Sequence, residues 1–238
     1  MHRTRKAGYY VKKTDEIFLT TDIMNTSPKA ATVNLALTWE YIEGHPAGFD
    51  IVFPVWLDVK GKCLNETTGV ADNELVFTAK SKTGWVSKTG GDLILAISHI
   101  HDGNTEQEIF MDGKPICKSI PAYGETADFV THQESDGHGH DHGTSEHIYH
   151  VSSVTQCTNV AKVVPGSLFT ITSSYDMKKH EGQKDHHGDP EPIMGIQFLH
   201  LARPWDEAMK DIAAAKNGDL QDFQDLVRGK KGKPPVEP

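Results

Sequence analysis

Cysteine is scarce: 3 of 238 residues, too few for a small scaffold built on disulfides. Long apolar runs are absent. No stretch approaches the roughly 20 residues of a membrane span, so no membrane span is expected. The basic start Met1-His2-Arg3-Thr4-Arg5-Lys6 is not followed by the apolar core of a signal peptide. The chain is therefore expected to be cytosolic, or mature with its leader removed. Positive charge is also in deficit. Lys and Arg number 24 against 33 Asp and Glu, a net charge of -9, which argues against nucleic acid and anionic membrane surfaces as partners. Hydrophobic residues make up 37% and mean hydropathy is -0.47. The chain is polar, yet long enough for one large β domain or two small ones with a sizeable core. No internal repeat is visible.

The three cysteines leave the compartment open. One disulfide plus one thiol is the simplest oxidised arrangement, and spacing does not rank the three pairings. The sequons Asn25-Thr26-Ser27 and Asn65-Glu66-Thr67 are compatible with secretion.

What is present is β signal, from about residue 8 to 201. Val33, Leu35, Leu37, Trp39 and Tyr41 alternate with Asn34, Ala36, Thr38 and Glu40, a half-buried strand pattern. Residues 51–57, 75–79, 93–101, 148–156, 168–175 and 194–201 predict further strands. Asp112-Gly113 between residues 108–111 and 114–117 predicts a hairpin with a tight turn. Together these predict an all-β fold, an antiparallel β-sandwich or jelly roll. Two polar His-rich stretches, 131–147 and 178–192, interrupt it as loops. Pro204 opens a predicted helix from Trp205 to about Lys216, closed by Asn217-Gly218. Asp219 caps a second short helix through Val227, and Lys230 to Pro235 predicts a disordered tail. The expected division is a domain over 1–203 and a helical appendage with tail over 204–238.

His99 and His101 end the run Leu93-Ile94-Leu95-Ala96-Ile97-Ser98. Strand alternation puts Leu93, Leu95, Ile97, His99 and His101 on one face, buried at its start and carrying two imidazoles at its end. Two imidazoles on one rigid strand are half of a metal site; the alternative is two hydrogen-bonded surface histidines. Met194, at the start of a later strand, is a candidate third ligand, although core packing is the commoner use of such a residue. Two imidazoles with a thioether suit copper, Cu(I) above all, better than hard cations or zinc. Three protein ligands would leave a position open for water, dioxygen or peroxide.

Several motifs stand in one order: Trp56-Leu57-Asp58, Gly91-Asp92, His99-Ile100-His101-Asp102-Gly103, Ile116 to Gly124, Thr155-Gln156-Cys157 and Met194-Gly195. Over roughly residues 10–201 this set resembles the plant and fungal stress-up-regulated nodulin family. It is also similar to the C-terminal copper domain of the ascorbate-dependent type II copper monooxygenases, such as peptidylglycine α-hydroxylating monooxygenase. The resemblance implies a secreted β-sandwich with one copper ion on His99, His101 and Met194. It implies dioxygen or peroxide and an external reductant as partners. Those monooxygenases carry a second copper domain that this chain has no room for, which puts their hydroxylase activity in doubt here. In such a secreted protein Cys117 and Cys157, which flank the first His-rich loop, are the expected disulfide and would fasten its base. Cys63 then lacks a partner; three reduced thiols are the alternative.

His138, His140 and His142 alternate with Gly139 and Asp141 in the 131–147 loop, with His132, His147 and His150 nearby. Such tracts bind transition metals weakly and flexibly. They could feed copper to the ordered site or form a second site; a plain solvated insertion is the alternative. His180, His186 and His187 precede Met194 and are further candidate ligands. His2, His45 and His200 are expected to be ordinary surface or core residues.

A rival pattern is His99-x-His101, then Glu106 after four intervening residues and Gly113 after six more, which resembles the first cupin motif. Its carboxylate would favour a hard metal where sulfur from Met194 favours copper. Three uses follow: a copper redox enzyme, a non-catalytic protein for copper capture, storage or delivery, and a cupin-like metal-dependent oxidoreductase using Glu106.

Overall fold

Alternating apolar side chains pay for chain entropy only when a second apolar face covers them, and here two antiparallel sheets cover each other. The computed structural model describes residues 5–19, 21, 23, 30, 32–59, 67–68, 74–81, 84–133, 146–183 and 191–214. Its strands are β1 (Ala7–Gly8), β2 (Asp50–Asp58), β3 (Thr67–Thr68), β4 (Val76–Lys80) and β5 (Trp85–Val86). There follow β6 (Gly91–Ile100), β7 (Asn104–Met111), β8 (Lys114–Ser119), β9 (Pro121–Tyr123) and β10 (Val130–Gln133). The last are β11 (Glu146–Tyr149), β12 (Val151–Val154), β13 (Cys157–Val163), β14 (Leu168–Asp176) and β15 (Ile193–Pro204), then the helix α1 (Trp205–Ala214).

One sheet runs β1-β2-β15-β6-β13, with β3 on the far end of β15; the other runs β4-β14-β7-β8, with β5 also on β14. All pairings are antiparallel except the two-residue parallel pair of β1 with β2. Leu93, Ala96, Leu199 and Leu201 from the first sheet meet Ile109, Phe169 and Ile171 from the second in one buried cluster. The fold is thus an all-β sandwich with one short C-terminal helix. The β7–β8 hairpin turns through Asp112 and Gly113 at φ of 52° and 76°, the left-handed pair a two-residue turn demands.

Cys117 on β8 and Cys157 on β13 are joined by a disulfide, which ties one sheet to the other. Cys63, the sequon asparagines Asn25 and Asn65, the segments 134–145 and 184–190, and everything after residue 214 lie outside the described residues. So do the second helix and the tail. No helix among the described residues is long and apolar enough to cross a membrane.

Three expectations need correction. Residues 33–41 form no strand, and Trp39 and Tyr41 are 62% and 83% exposed. No described strand lies alongside this segment, so its alternation has nothing to bury against. Second, the 148–156 stretch breaks at His150 into β11 and β12, which pair with different partners, β10 and β9. Third, the core-facing side of β6 is not the histidine side. Leu93, Ala96, Ser98 and Ile100 are buried, whereas Ile97, His99 and His101 face away from the core. The reason is an irregularity in the β15 pairing, between the Leu95 and Leu93 positions of β6, which switches the inward parity part-way along the strand.

Candidate metal centre

The corner between β6 and β7 is the tight turn His101-Asp102-Gly103. The Asn104 amide donates to the His101 carbonyl at 3.3 Å, and Gly103 sits at φ +87°. A side chain there would also collide with the sulfur of Met177, 2.0 Å from the position of its Cβ. Because β6 and β7 belong to different sheets, this turn carries the chain across the rim of the sandwich. His101 is left at the end of the first sheet.

On the outer face His99 and His101 lie side by side, with ring centres 5.8 Å apart and planes at 78°. Two imidazoles each donating to one ion at about 2 Å put their centres at about 5–6 Å. The pair therefore has the spacing a shared metal needs. Nδ1 of His101 lies 2.8 Å from the Pro192 carbonyl oxygen. A carbonyl only accepts, so Nδ1 carries the hydrogen, and Nε2 keeps its lone pair for a metal. This is the outer-shell hydrogen bond that metal-ligating histidines make. His99 remains solvent-exposed. Partial desolvation by surrounding atoms, and then the charge of His101, hold its pKa below the ordinary value. That keeps its lone pair available too.

Met194 arrives by register. Gly195 of β15 pairs with Ile100 of β6, and Ile196 with His99. One position beyond the Gly195–Ile100 pair stand Met194 and His101, so Met194 and His101 lie at neighbouring strand ends on the face of His99. Met194 is half-buried. Gly195 follows at a point where Ser173 of the other sheet and Val59 leave no room for a side chain. A Cβ at this position would lie 2.9 Å from the Ser173 Cβ and 3.0 Å from each methyl carbon of Val59.

Among the described residues no three His, Cys, Asp or Glu side chains gather where a metal could be held. A metal held by the two imidazoles would have to take a third protein donor of another kind, such as a thioether. Asp58 shares a row with His99 through Ile196, but two strand spacings put it about 10 Å away. Glu106 lies on β7, in the other sheet, and its carboxylate is paired with Lys118 Nζ at 2.5 Å. The cupin ligand set is therefore not assembled.

The remaining histidines have other surroundings. His150 Nδ1 is 2.6 Å from Asp102 Oδ2, and its Nε2 is 2.9 Å from Thr131 Oγ1, so both ring nitrogens are engaged. Asp102, 3% exposed, also accepts the Val151 amide at 2.7 Å. Through these bonds it moors the β10–β11 ribbon, the base of the His-rich loop, next to His101. His147 stands opposite His132 in that ribbon, with its ring 6.4 Å from Tyr149. His180 stacks flat on Tyr123, centres 3.7 Å apart, and desolvation lowers its pKa. His45 stacks on Trp205, and the Tyr9 hydroxyl meets the ring of His200. His138, His140, His142, His186 and His187 lie outside the described residues.

Sequence reasoning missed Pro192 and Asp102. The first acts through a main-chain carbonyl and leaves no side-chain signal. Asp102 was visible only as part of a motif.

A family model for stress up-regulated Nod 19 matches residues 58–203, a span that contains His99, His101 and Met194. The chain belongs to the stress up-regulated Nod 19 family. Two curated relatives are each 27% identical to this chain over 198 residues, 83% of its length. They are a "probable copper-dependent oxygenase" (clz3) of Cochliobolus lunatus, covered over 58% of its length, and a "probable copper-dependent oxygenase" (M1) of a Phoma species, covered over 46%. The chain thus spans about half the length of the curated relatives it matches. No solved structure matches it significantly.

Proposed function

We propose that this chain is a copper-binding module of a copper-dependent oxygenase, holding one ion with His99, His101 and Met194. The observation that carries the reading is the bond from His101 Nδ1 to the Pro192 carbonyl beside the ring of His99. It presents a fixed tautomer, next to a second imidazole, at the strand position facing Met194. The names of the two curated relatives support copper as the ion and dioxygen as the co-substrate class. Bound copper would supply one-electron chemistry towards dioxygen or peroxide, with an external reductant such as ascorbate. The chain's own part is to orient two lone pairs, to add a soft sulfur that favours the cuprous state, and to leave one side open where His99 meets solvent. The 1–203 region is read as the copper domain, and extracellular placement accords with the Cys117–Cys157 bond.

Exposure of His99 also suits a second reading, copper capture or delivery without turnover. Single-turnover oxidation with ascorbate, in the wild type and in His99→Ala, separates the two. Substrate oxidation lost in the variant supports the oxygenase module. Stoichiometric copper binding with no oxidation in either protein supports capture, and no copper binding at all overturns both.

A further inference from the structure

Behind the candidate ligand face, a chain of hydrogen bonds crosses the sandwich and ends on the ligand residue itself. Asn104 Nδ2 donates to Ser173 Oγ at 2.8 Å, and Ser173 Oγ to the Tyr175 hydroxyl at 3.3 Å. The Tyr175 hydroxyl donates to the main-chain carbonyl of Met194. The last link has only one polarity, because a carbonyl cannot donate. Asn104, Ser173 and Tyr175 are each at most 1% exposed, so water does not compete for these bonds, and a relay of hydroxyls in a dry interior strengthens each member. The Tyr175 ring is fixed as well, stacked on Phe77 with centres 5.1 Å apart. Gly195 gives the room for this approach, since Ser173 occupies the space a side chain there would fill.

Met194 needs such support more than the histidines do. It stands beyond the last β6–β15 pair, where the ladder on that side has ended. Among the described residues, the strand that pairs at Met194 itself is the two-residue β3. A methionine has three rotatable bonds and no preferred pose, so the backbone beneath it decides where the sulfur can reach. We infer that Tyr175 is a positioning residue for Met194: its hydroxyl fixes the carbonyl of that residue, and so the origin from which the thioether reaches towards His99 and His101. The inference rests on the reading of Met194 as a copper ligand, and the tests for the two are separable.

The test uses the full chain with 13C-methyl methionine, the Met194 signal being assigned by its loss in Met194→Leu. In copper-free protein, Tyr175→Phe keeps the ring and removes the hydroxyl. The Met194 methyl signal is expected to shift or split, while that of Met111, on the far part of β7, holds still. An unmoved Met194 signal overturns the Tyr175 inference alone. With copper, Tyr175→Phe is expected to weaken Cu(I) about tenfold and leave Cu(II) within about twofold, because sulfur favours the cuprous ion. That is a fall of about 59 mV in potential. Equal losses for both oxidation states indicate a merely structural hydroxyl and overturn the inference. Unchanged Cu(I) affinity in Met194→Leu instead overturns the ligand reading. If Tyr175→Phe fails to fold, Ser173→Ala removes the hydroxyl that donates to the phenol, and with it the acceptor of the Asn104 amide, and should shift the same signal in the same direction. No shift in that variant counts against the inference.

Discussion

The Pro192 carbonyl accepts a hydrogen bond from Nδ1 of His101 at 2.8 Å, so the segment that leads into Met194 also sets the tautomer of an imidazole on the neighbouring strand. Loss of either imidazole should then be severe. His99→Ala and His101→Ala are each expected to weaken copper by more than the about 10–100-fold typical of outer-shell changes, with the fold intact by circular dichroism. Competition titration against a chelator checks this. Wild-type affinity in both variants would remove the two histidines from the site.

Proton competition gives a second prediction. Copper takes the neutral imidazole, and the pKa of His99 lies below its ordinary value of about 6.5. Protons therefore compete with the metal at this ring only at lower pH than usual. Affinity should hold between pH 8 and about 6.5 and fall as the pH drops further. The same titration run across that range tests it, and an affinity already falling between pH 8 and 7 would contradict it.

Gly195 offers a stability test. Gly195→Ala would place a methyl 2.9 Å from the Ser173 Cβ and 3.0 Å from the methyls of Val59; Ser173 is a strand residue and the buried Val59 directly follows β2, so neither yields as a flexible tip would. The expected loss is about 1–3 kcal/mol, read by urea or thermal unfolding.

The disulfide should matter for stability. Cys117 and Cys157 are 40 residues apart, so the bond restricts a long loop in the unfolded chain and joins the two sheets in the folded one. Its reduction, or Cys117→Ser with Cys157→Ser, is expected to cost about 2–4 kcal/mol. Thermal melts with and without reductant provide the comparison.

Asp102 holds both the His150 ring and the Val151 amide from a buried position. Asp102→Ala leaves a donor on each side unmet. We expect a loss of about 2–4 kcal/mol and faster amide hydrogen exchange at Val151.

Much of this was legible in the chain. The residue pattern gave β2 and β14 to within a residue at each end and β15 short by three residues at its end, and Asp112-Gly113 marked the hairpin because only a left-handed pair closes so short a turn. The His99-x-His101 spacing placed two rings on one face wherever the strand lay. Local pattern went wrong where pairing intervened. Leu93 and His99 were expected on the same side, but the irregular β6–β15 register parts them. Val33 to Tyr41 alternates like a strand yet has no described neighbour to pair with. Neither fact is written in the residues concerned; each depends on a partner strand far along the chain.

The sequence by itself determined the β architecture, the paired imidazoles and the ordered motif set of the Nod 19 family, since these depend on residue type and short-range period. Only the tertiary structure decided that Met194 comes level with His101, that the Pro192 carbonyl selects the tautomer of His101, and that Glu106 stands in the opposite sheet against Lys118. These are matters of register and of which sheet a strand joins. Both arise from contacts between segments some 90 residues apart (His101 with Pro192, for one), which no local pattern encodes.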